Sequence, residues 1–241
     1  MDTSLRVVLY GVGEMGRIIA RVAFERGLNI VGAIDVDPWK CGKKLGELVG
    51  LGDDLDVIVS RDAEKTLSEC RPDVVLHATT SFLDQVYPQL IKCARVGADV
   101  VSTCETLVYP YYRYPELAEL LDEYAKNRGV SFLGTGVNPG FLLDVLPAVL
   151  TAGMTRVERI KATRIIDASK KRRSFRRKIG LNLSLEEFER EAFRGGVTGH
   201  MGYAESVMLL ASIMGVDISR VEEFEKPIIA EEDFEFGDFR V

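Results

Sequence analysis

Short apolar blocks alternate with stretches of helical period along the first half of the chain. The blocks Val7–Tyr10, Ile30–Asp35, Val57–Val59, Val74–Ala78, Val100–Ser102 and Ser131–Leu133 are rich in β-branched residues and too short for helices, so they predict strands. Between them, Glu14–Glu25, Ala63–Cys70, Leu83–Val96 and Glu116–Arg128 repeat apolar residues at helical spacing and predict helices. Pro38 to Asp56 holds glycines and lysines with no clean period and reads as a connection. Regular alternation of this kind predicts an α/β fold, a Rossmann-type doubly wound parallel sheet covered on both faces.

Near Gly134 the pattern changes. Gly134-Thr135-Gly136-Val137-Asn138-Pro139-Gly140 reads as a glycine-rich hinge, with Pro139 where a helix can begin, and predicts a helix through Phe141–Leu150. Val157–Ile166 alternates Val157, Ile160 and Ala162 with Glu158, Lys161 and Arg164, as a strand with one wet face would. Leu185–Phe193 and Gly202–Met214 predict two helices, the first opened by a capping box of Ser184 with Glu187. Pro227–Ala230 and Phe234-Glu235-Phe236 alternate again. The expected division is a dinucleotide-binding domain, residues 1–137, and a smaller α+β substrate-binding and dimerisation domain, residues 138–241.

The first strand runs into Gly11, Gly13 and Gly16, spaced G-x-G-x-x-G around Val12, Glu14 and Met15, and a helix follows at once. Gly11 lets the chain turn off the strand, Gly13 lets a pyrophosphate reach the backbone, and Gly16 lets the helix lie close to the sheet. Asp35 ends the second strand, where its carboxylate can accept both hydroxyls of a ribose and repel a 2′-phosphate. This favours NAD; the bland alternative is an Asp capping the next turn. Lys40, Lys43 and Lys44 lie close enough in sequence to keep NADP open.

Composition narrows the classes. A net charge of −6 argues against nucleic acid as a partner, and no apolar stretch is long enough for a membrane span or signal segment, so the cytoplasm is expected. Four scattered cysteines without a C-x-x-C pair, and only two histidines, predict neither a metal site nor a disulfide framework.

In a doubly wound sheet the ligand crevice lies at the carboxyl ends of the strands. Ala78-Thr79-Thr80 suits a loop under the nicotinamide ribose, whereas His77 falls inside its strand and reads as a satisfied buried side chain. Thr103 and Cys104 line the same crevice, Cys104 as a small packed residue without a histidine partner. Glu105 just past the fifth strand is the candidate general acid–base, its pKa expected to be raised by apolar walls; the alternative is a helix N-terminal charge. Asn138 can bond the carboxamide or a substrate, or be an ordinary turn residue. Arg164 to Lys178 holds eight basic residues, read equally as a solvated strand edge or as arginines receiving a carboxylate. His200, after Thr198-Gly199, reads as a cap or packing residue.

Taken together, the glycine turn with Asp35, the stretch Ser102 to Pro110 around Cys104-Glu105, the hinge Gly134–Gly140 with Phe141 to Asp144, and Asp167-Ala168-Ser169-Lys170 followed by Lys178-Ile179-Gly180 resemble 2,4-diaminopentanoate dehydrogenases over the whole chain. Native amine dehydrogenases are similar, and both share the dihydrodipicolinate reductase fold. The resemblance implies an NAD(P)-dependent oxidoreductase acting on the C–N bond of a small amine or amino acid; a homodimer is expected separately, from the open edge of the last alternating strand pattern. Glu105 would be catalytic, and Asn138, Arg164 and Asp167 would bind substrate, Asp167 through its ammonium. The paired-histidine and Pro-Ser-Gly-Thr motifs of dihydrodipicolinate reductases do not occur, which leaves imine reduction as the alternative, beside a protein that binds NAD without turnover. The family's proteins are longer, so the second domain is expected to be incomplete.

Overall fold

The computed structural model describes residues 5–170, 173–194, 196, 197, 199, 201–230, 235, 236, 239 and 240. The six predicted strands form as β1 (Arg6–Tyr10), β2 (Asn29–Ile34), β3 (Val59–Ser60), β4 (Val74–His77), β5 (Asp99–Ser102) and β6 (Phe132–Gly134). They make one all-parallel sheet in the order β3-β2-β1-β4-β5-β6. Because successive strand residues point to opposite faces, β1 splits its side chains: Val7 and Leu9 join Ala20, Ala23 and Leu45 on one side, and Val8 and Tyr10 join Leu67, Val86 and Leu90 on the other. Burial on both faces explains why these strands read as continuous apolar runs.

Helices α1 (Glu14–Glu25), α2 (Leu45–Val49), α3 (Ala63–Cys70), α4 (Leu83–Arg95), α5 (Pro110–Arg113) and α6 (Pro115–Arg128) supply the covering layers. The connection Pro38 to Asp56 is more ordered than its composition suggests, since it carries α2 and a 3₁₀ turn over Gly52–Asp54. Its glycines are the reason: at Gly46 a side chain would overlap the backbone of Gly52, so the loop folds back tightly on α2.

The chain divides into two compact units, Met1–Leu142 and Leu143–Val241. The division falls later than the expected 137/138 boundary because the hinge stays with the sheet: Leu142 N–H donates to Val137 O at 2.9 Å, and Gly140, at φ +116°, packs on Gly136. The predicted helix from Phe141 is corrected. Residues 139–144 form turns, and α7 runs only over Val145–Thr151, because Asp144 is its cap, accepting from Val145 N–H at 2.7 Å.

The second unit continues with a 3₁₀ turn at Ala168–Lys170, α8 (Arg173–Lys178), α9 (Leu185–Phe193), α10 (Tyr203–Met214) and the short pair β7 (Glu235–Phe236) and β8 (Phe239–Arg240). The capping box of α9 is present, with Glu187 N–H donating to Ser184 Oγ and Ser184 N–H to Glu187 Oε2. The predicted strand Val157–Ile166 is not formed. Its residues are mostly exposed without regular structure, and among the described residues no strand lies beside them to complete a ladder. Pro227–Ala230 likewise has no regular structure, and Phe234 lies outside the described residues.

Candidate functional site

All six strands end at the same edge of the first unit, and backbone pairing continues beyond them into the loops that carry the candidate residues. Gly11 N–H donates to Ile34 O, Ala78 N–H to Tyr10 O, Thr103 N–H to His77 O and Thr135 N–H to Ser102 O, all at 2.8–3.0 Å. The loops Gly11–Gly16, Asp35, Ala78-Thr79-Thr80, Thr103-Cys104-Glu105 and Thr135 to Asn138 are therefore brought together as the sequence predicts. Arg164 and Asp167 belong to the second unit.

Gly11 has φ +100°, and a side chain there would overlap Ala78 O; one at Gly16 would overlap Gly11 O. Both glycines are required by close packing of strand, turn and helix. Gly13 differs: a Cβ there would meet nothing within 4 Å, so its face is open beside the N-terminal N–H groups of α1. Glu14 is exposed and Met15 half-buried on the same turn. An anionic diphosphate fits such a place.

Asp35 is only 8% exposed, and its oxygens are already engaged. Oδ2 accepts from Val12 N–H at 2.7 Å and from the Lys40 ammonium at 3.0 Å, and Oδ1 accepts from Asp37 N–H at 2.9 Å. Burial alone pushes this carboxyl upward, but the N–H groups of Asp37 and Val12 and the Lys40 ammonium outweigh it and hold the pKa below its ordinary value. The sequence placed Asp35 and named Lys40 as a phosphate candidate but did not show their pairing, because an Asp and a Lys five apart in a loop follow no helical or strand period. The other two lysines part company: Lys44 is held by Asp53 at 2.9 Å and Asp56 at 3.1 Å, whereas Lys43 Nζ lies 3.4 Å from the centroid of the exposed Trp39 ring.

His77 is fully buried and joins three elements. Its Nδ1 lies 2.8 Å from Ser102 Oγ, which also accepts from Cys104 N–H, and its Nε2 lies 2.7 Å from Gln89 Oε1, to which Thr79 Oγ donates. A neutral ring with the proton on Nε2 satisfies every one of these bonds. Burial pushes its pKa down, the bond from Gln89 opposing. His77 is thus the satisfied core residue its strand position implies, and it anchors the backbone that presents Glu105. The Thr80 hydroxyl is spent on Gln85 Oε1.

Cys104 is buried, and burial pushes its thiol up to about 11, as befits a packed residue. Glu105 follows on a 3₁₀ turn, Glu105–Leu107, and is half-buried. That turn rests on β6, where a side chain at Gly134 would overlap the Leu107 backbone. Asn138 is 7% exposed, and neither Oδ1 nor Nδ2 has a hydrogen-bond partner among the described residues. Buried amides are normally bonded, so this one offers a donor and an acceptor to a ligand.

In the second unit the basic run folds partly as α8, which removes the strand-edge reading. Arg176 and Arg177 from α8 and Arg190 from α9 line a cavity of about 670 Å³. Asp167 is exposed and paired with Lys170 at 3.2 Å. Lys171, Arg172, Thr198 and His200 lie outside the described residues. Among the described residues no group of three His, Cys, Asp or Glu could hold a metal, and no helix is long and apolar enough to cross a membrane.

Strand order, glycine turn and crevice define the first unit as a Rossmann-type doubly wound α/β unit. Residues 141–238 match the 2,4-diaminopentanoate dehydrogenase C-terminal domain. The chain is 31% identical over 238 residues to a 2,4-diaminopentanoate dehydrogenase from Acetoanaerobium sticklandii, covering 95% of this chain and 66% of that protein. It is 27% identical over 228 residues to an amine dehydrogenase from Streptomyces virginiae, covering 91% and 62%. The solved amine dehydrogenase of Mycobacterium smegmatis superposes with a TM-score of 0.79 at 29% identity, over 97% of this chain and 68% of that one. The chain belongs to this family of 2,4-diaminopentanoate and amine dehydrogenases, and spans about two-thirds of the length of the curated relatives it matches.

Proposed function

We propose that the chain is an NAD(P)-dependent oxidoreductase acting on the C–N bond of a small amine or amino acid. The observation that carries this reading is the crevice itself: an open glycine at the first turn of α1, a carboxylate at Glu105 and a buried amide at Asn138 with nothing to bond, in a chain of this family. The residues present fit a nicotinamide dinucleotide, with Gly11–Gly16 at the diphosphate, Ala78 to Thr80, Thr103 and Cys104 along the nicotinamide half, and Asn138 at the carboxamide or substrate. The nicotinamide ring, when bound, accepts or returns the hydride. Glu105 would take the proton that an alkylammonium must lose before its carbon can be oxidised, release it to solvent, and then remove one from the water that attacks the imine. The cavity that the arginines of α8 and α9 line within the second unit suits an anionic group.

The test is ammonia-dependent oxidation of NADH or NADPH with a panel of small ketones, run beside cofactor titration. Glu105→Gln keeps the shape and removes the base, so turnover is expected to fall about 10²–10⁴-fold with cofactor affinity nearly unchanged. Retained turnover moves proton transfer to another group. Lost cofactor binding shows instead that Glu105 supports the pocket.

A further inference from the structure

The loop after β2 leaves one feature that a site selective for an unphosphorylated ribose has no use for. Such a site offers a free carboxylate to two hydroxyls. Here three of the four lone-pair positions of Asp35 are taken, by Val12 N–H, Asp37 N–H and Lys40 Nζ, so at most one hydroxyl can be accepted. Lys40 also stands 3.5 Å from Asp37 Oδ2, which sets one cation between two carboxylates. Its side chain is 13% exposed, and one of its three N–H groups is left over after these two contacts.

The loop is rigid where this matters. Lys40 N–H and Cys41 N–H both donate to Asp37 O, Trp39 N–H donates to Asp37 Oδ1, Cys41 Sγ to Asp35 O, and Gly42 N–H to Val59 O. Lys43 is fixed at its backbone on both sides, donating to Lys40 O and accepting from Val59 N–H. Trp39, 60% exposed, is held with its ring against the Lys43 ammonium. An exposed indole with Lys43 on its ring and Lys40 on the same loop at Asp35, at the end of the second strand of a Rossmann sheet, has the parts of a seat for a purine carrying an extra phosphate.

We propose that Lys40 is the residue that sets cofactor choice: its ammonium offsets the charge of Asp35, Lys43 balances the remaining charge of Asp37, and the two lysines receive the 2′-phosphate while the adenine lies on the Trp39 face away from Lys43. The inference rests on the dinucleotide reading of the crevice and deepens it to a 2′-phosphoadenosine ligand. It reverses the expectation from Asp35 alone, which favours NAD.

The test uses adenosine 2′,5′-bisphosphate and adenosine 5′-monophosphate, which probe the adenosine end without any turnover. Trp39 is the single tryptophan of the chain, so quenching of intrinsic fluorescence reads binding at this loop directly. The bisphosphate is expected to bind at least about tenfold tighter than the monophosphate, as charge-assisted bonds to one phosphate imply. Lys40→Met should abolish that preference while leaving monophosphate affinity within about threefold; Lys43→Ala should reduce it in part, and Lys40→Arg, which keeps the charge, should retain it. Equal binding of the two probes to the native chain overturns the proposal, as does a Lys40→Met variant that weakens both alike or a Lys40→Arg variant that loses the preference. Titration with NADH keeps the two readings apart. If NADH binds but the preference is absent, the role of Lys40 fails alone. If NADH, NADPH and both probes all fail to bind, the dinucleotide reading fails with it.

Discussion

A side-chain amide buried with neither atom bonded costs a folded chain about 1–3 kcal/mol, and Asn138 is in that position. Asn138→Leu keeps the branched shape and removes both unsatisfied atoms. Its expected outcome is a melting temperature equal to or above that of the native chain, with kcat/KM for ammonia-dependent NADH oxidation lowered at least tenfold. A variant that loses stability instead would place Asn138 in the folding core. His77 carries a pH signature. Because burial depresses its folded-state pKa, the neutral ring is favoured in the fold; this stability is fully present above the ordinary value of 6.5 and is lost as pH falls through it toward the lower folded-state value. Resistance of the native chain to urea should therefore weaken as pH falls below about 6.5, and His77→Gln should lack that step. Both residues were legible as positions. The partners of His77 were not, since Gln89 in α4 and Ser102 in β5 are brought to it only by the folded sheet.

At the scale of elements, the turn that presents Glu105 depends on a strand thirty residues further on. Gly134 in β6 lies against the Leu107 backbone so closely that no side chain fits. Gly134→Ala must push the 3₁₀ turn away from the sheet or shift β6. The expected result is a destabilisation of about 1–3 kcal/mol, as for other overpacked positions, with turnover falling more than cofactor affinity. Chemical denaturation and cofactor titration of the variant check the two halves of that statement. The helices α1 and α3 and the strands were readable because each buries one face or both, and burial imposes a period, whereas α9 was readable from its capping box. Val157–Ile166 shows the converse: alternation came without a neighbouring strand, and a strand has no hydrogen-bonding partner within itself. The short helices α5 and α8 were missed for a related reason, since one turn or so is too little chain for a period to appear.

At the scale of the whole chain, two compact units separate at Leu142 and Leu143, and the first contains the entire parallel sheet. Doubly wound order was legible because six apolar blocks alternate with helices, and the crevice followed from that order alone. The second unit reads less well, because its apolar residues are fewer, more exposed and set among charges. The order of the sheet also bears on how the protein is made. β1, first in the chain, lies in the middle of the sheet, paired on one side with β2 at Ile30 and on the other with β4 at Val74. A growing chain exposes β1, β2 and β3 before β4 has left the ribosome, since β4 begins only at Val74. During that interval Val7 to Tyr10, among the most apolar residues of the protein, border an open strand edge, which is where a nascent chain is most prone to pair with a neighbour. The strand that organises the finished crevice is therefore the one most in need of shelter during synthesis.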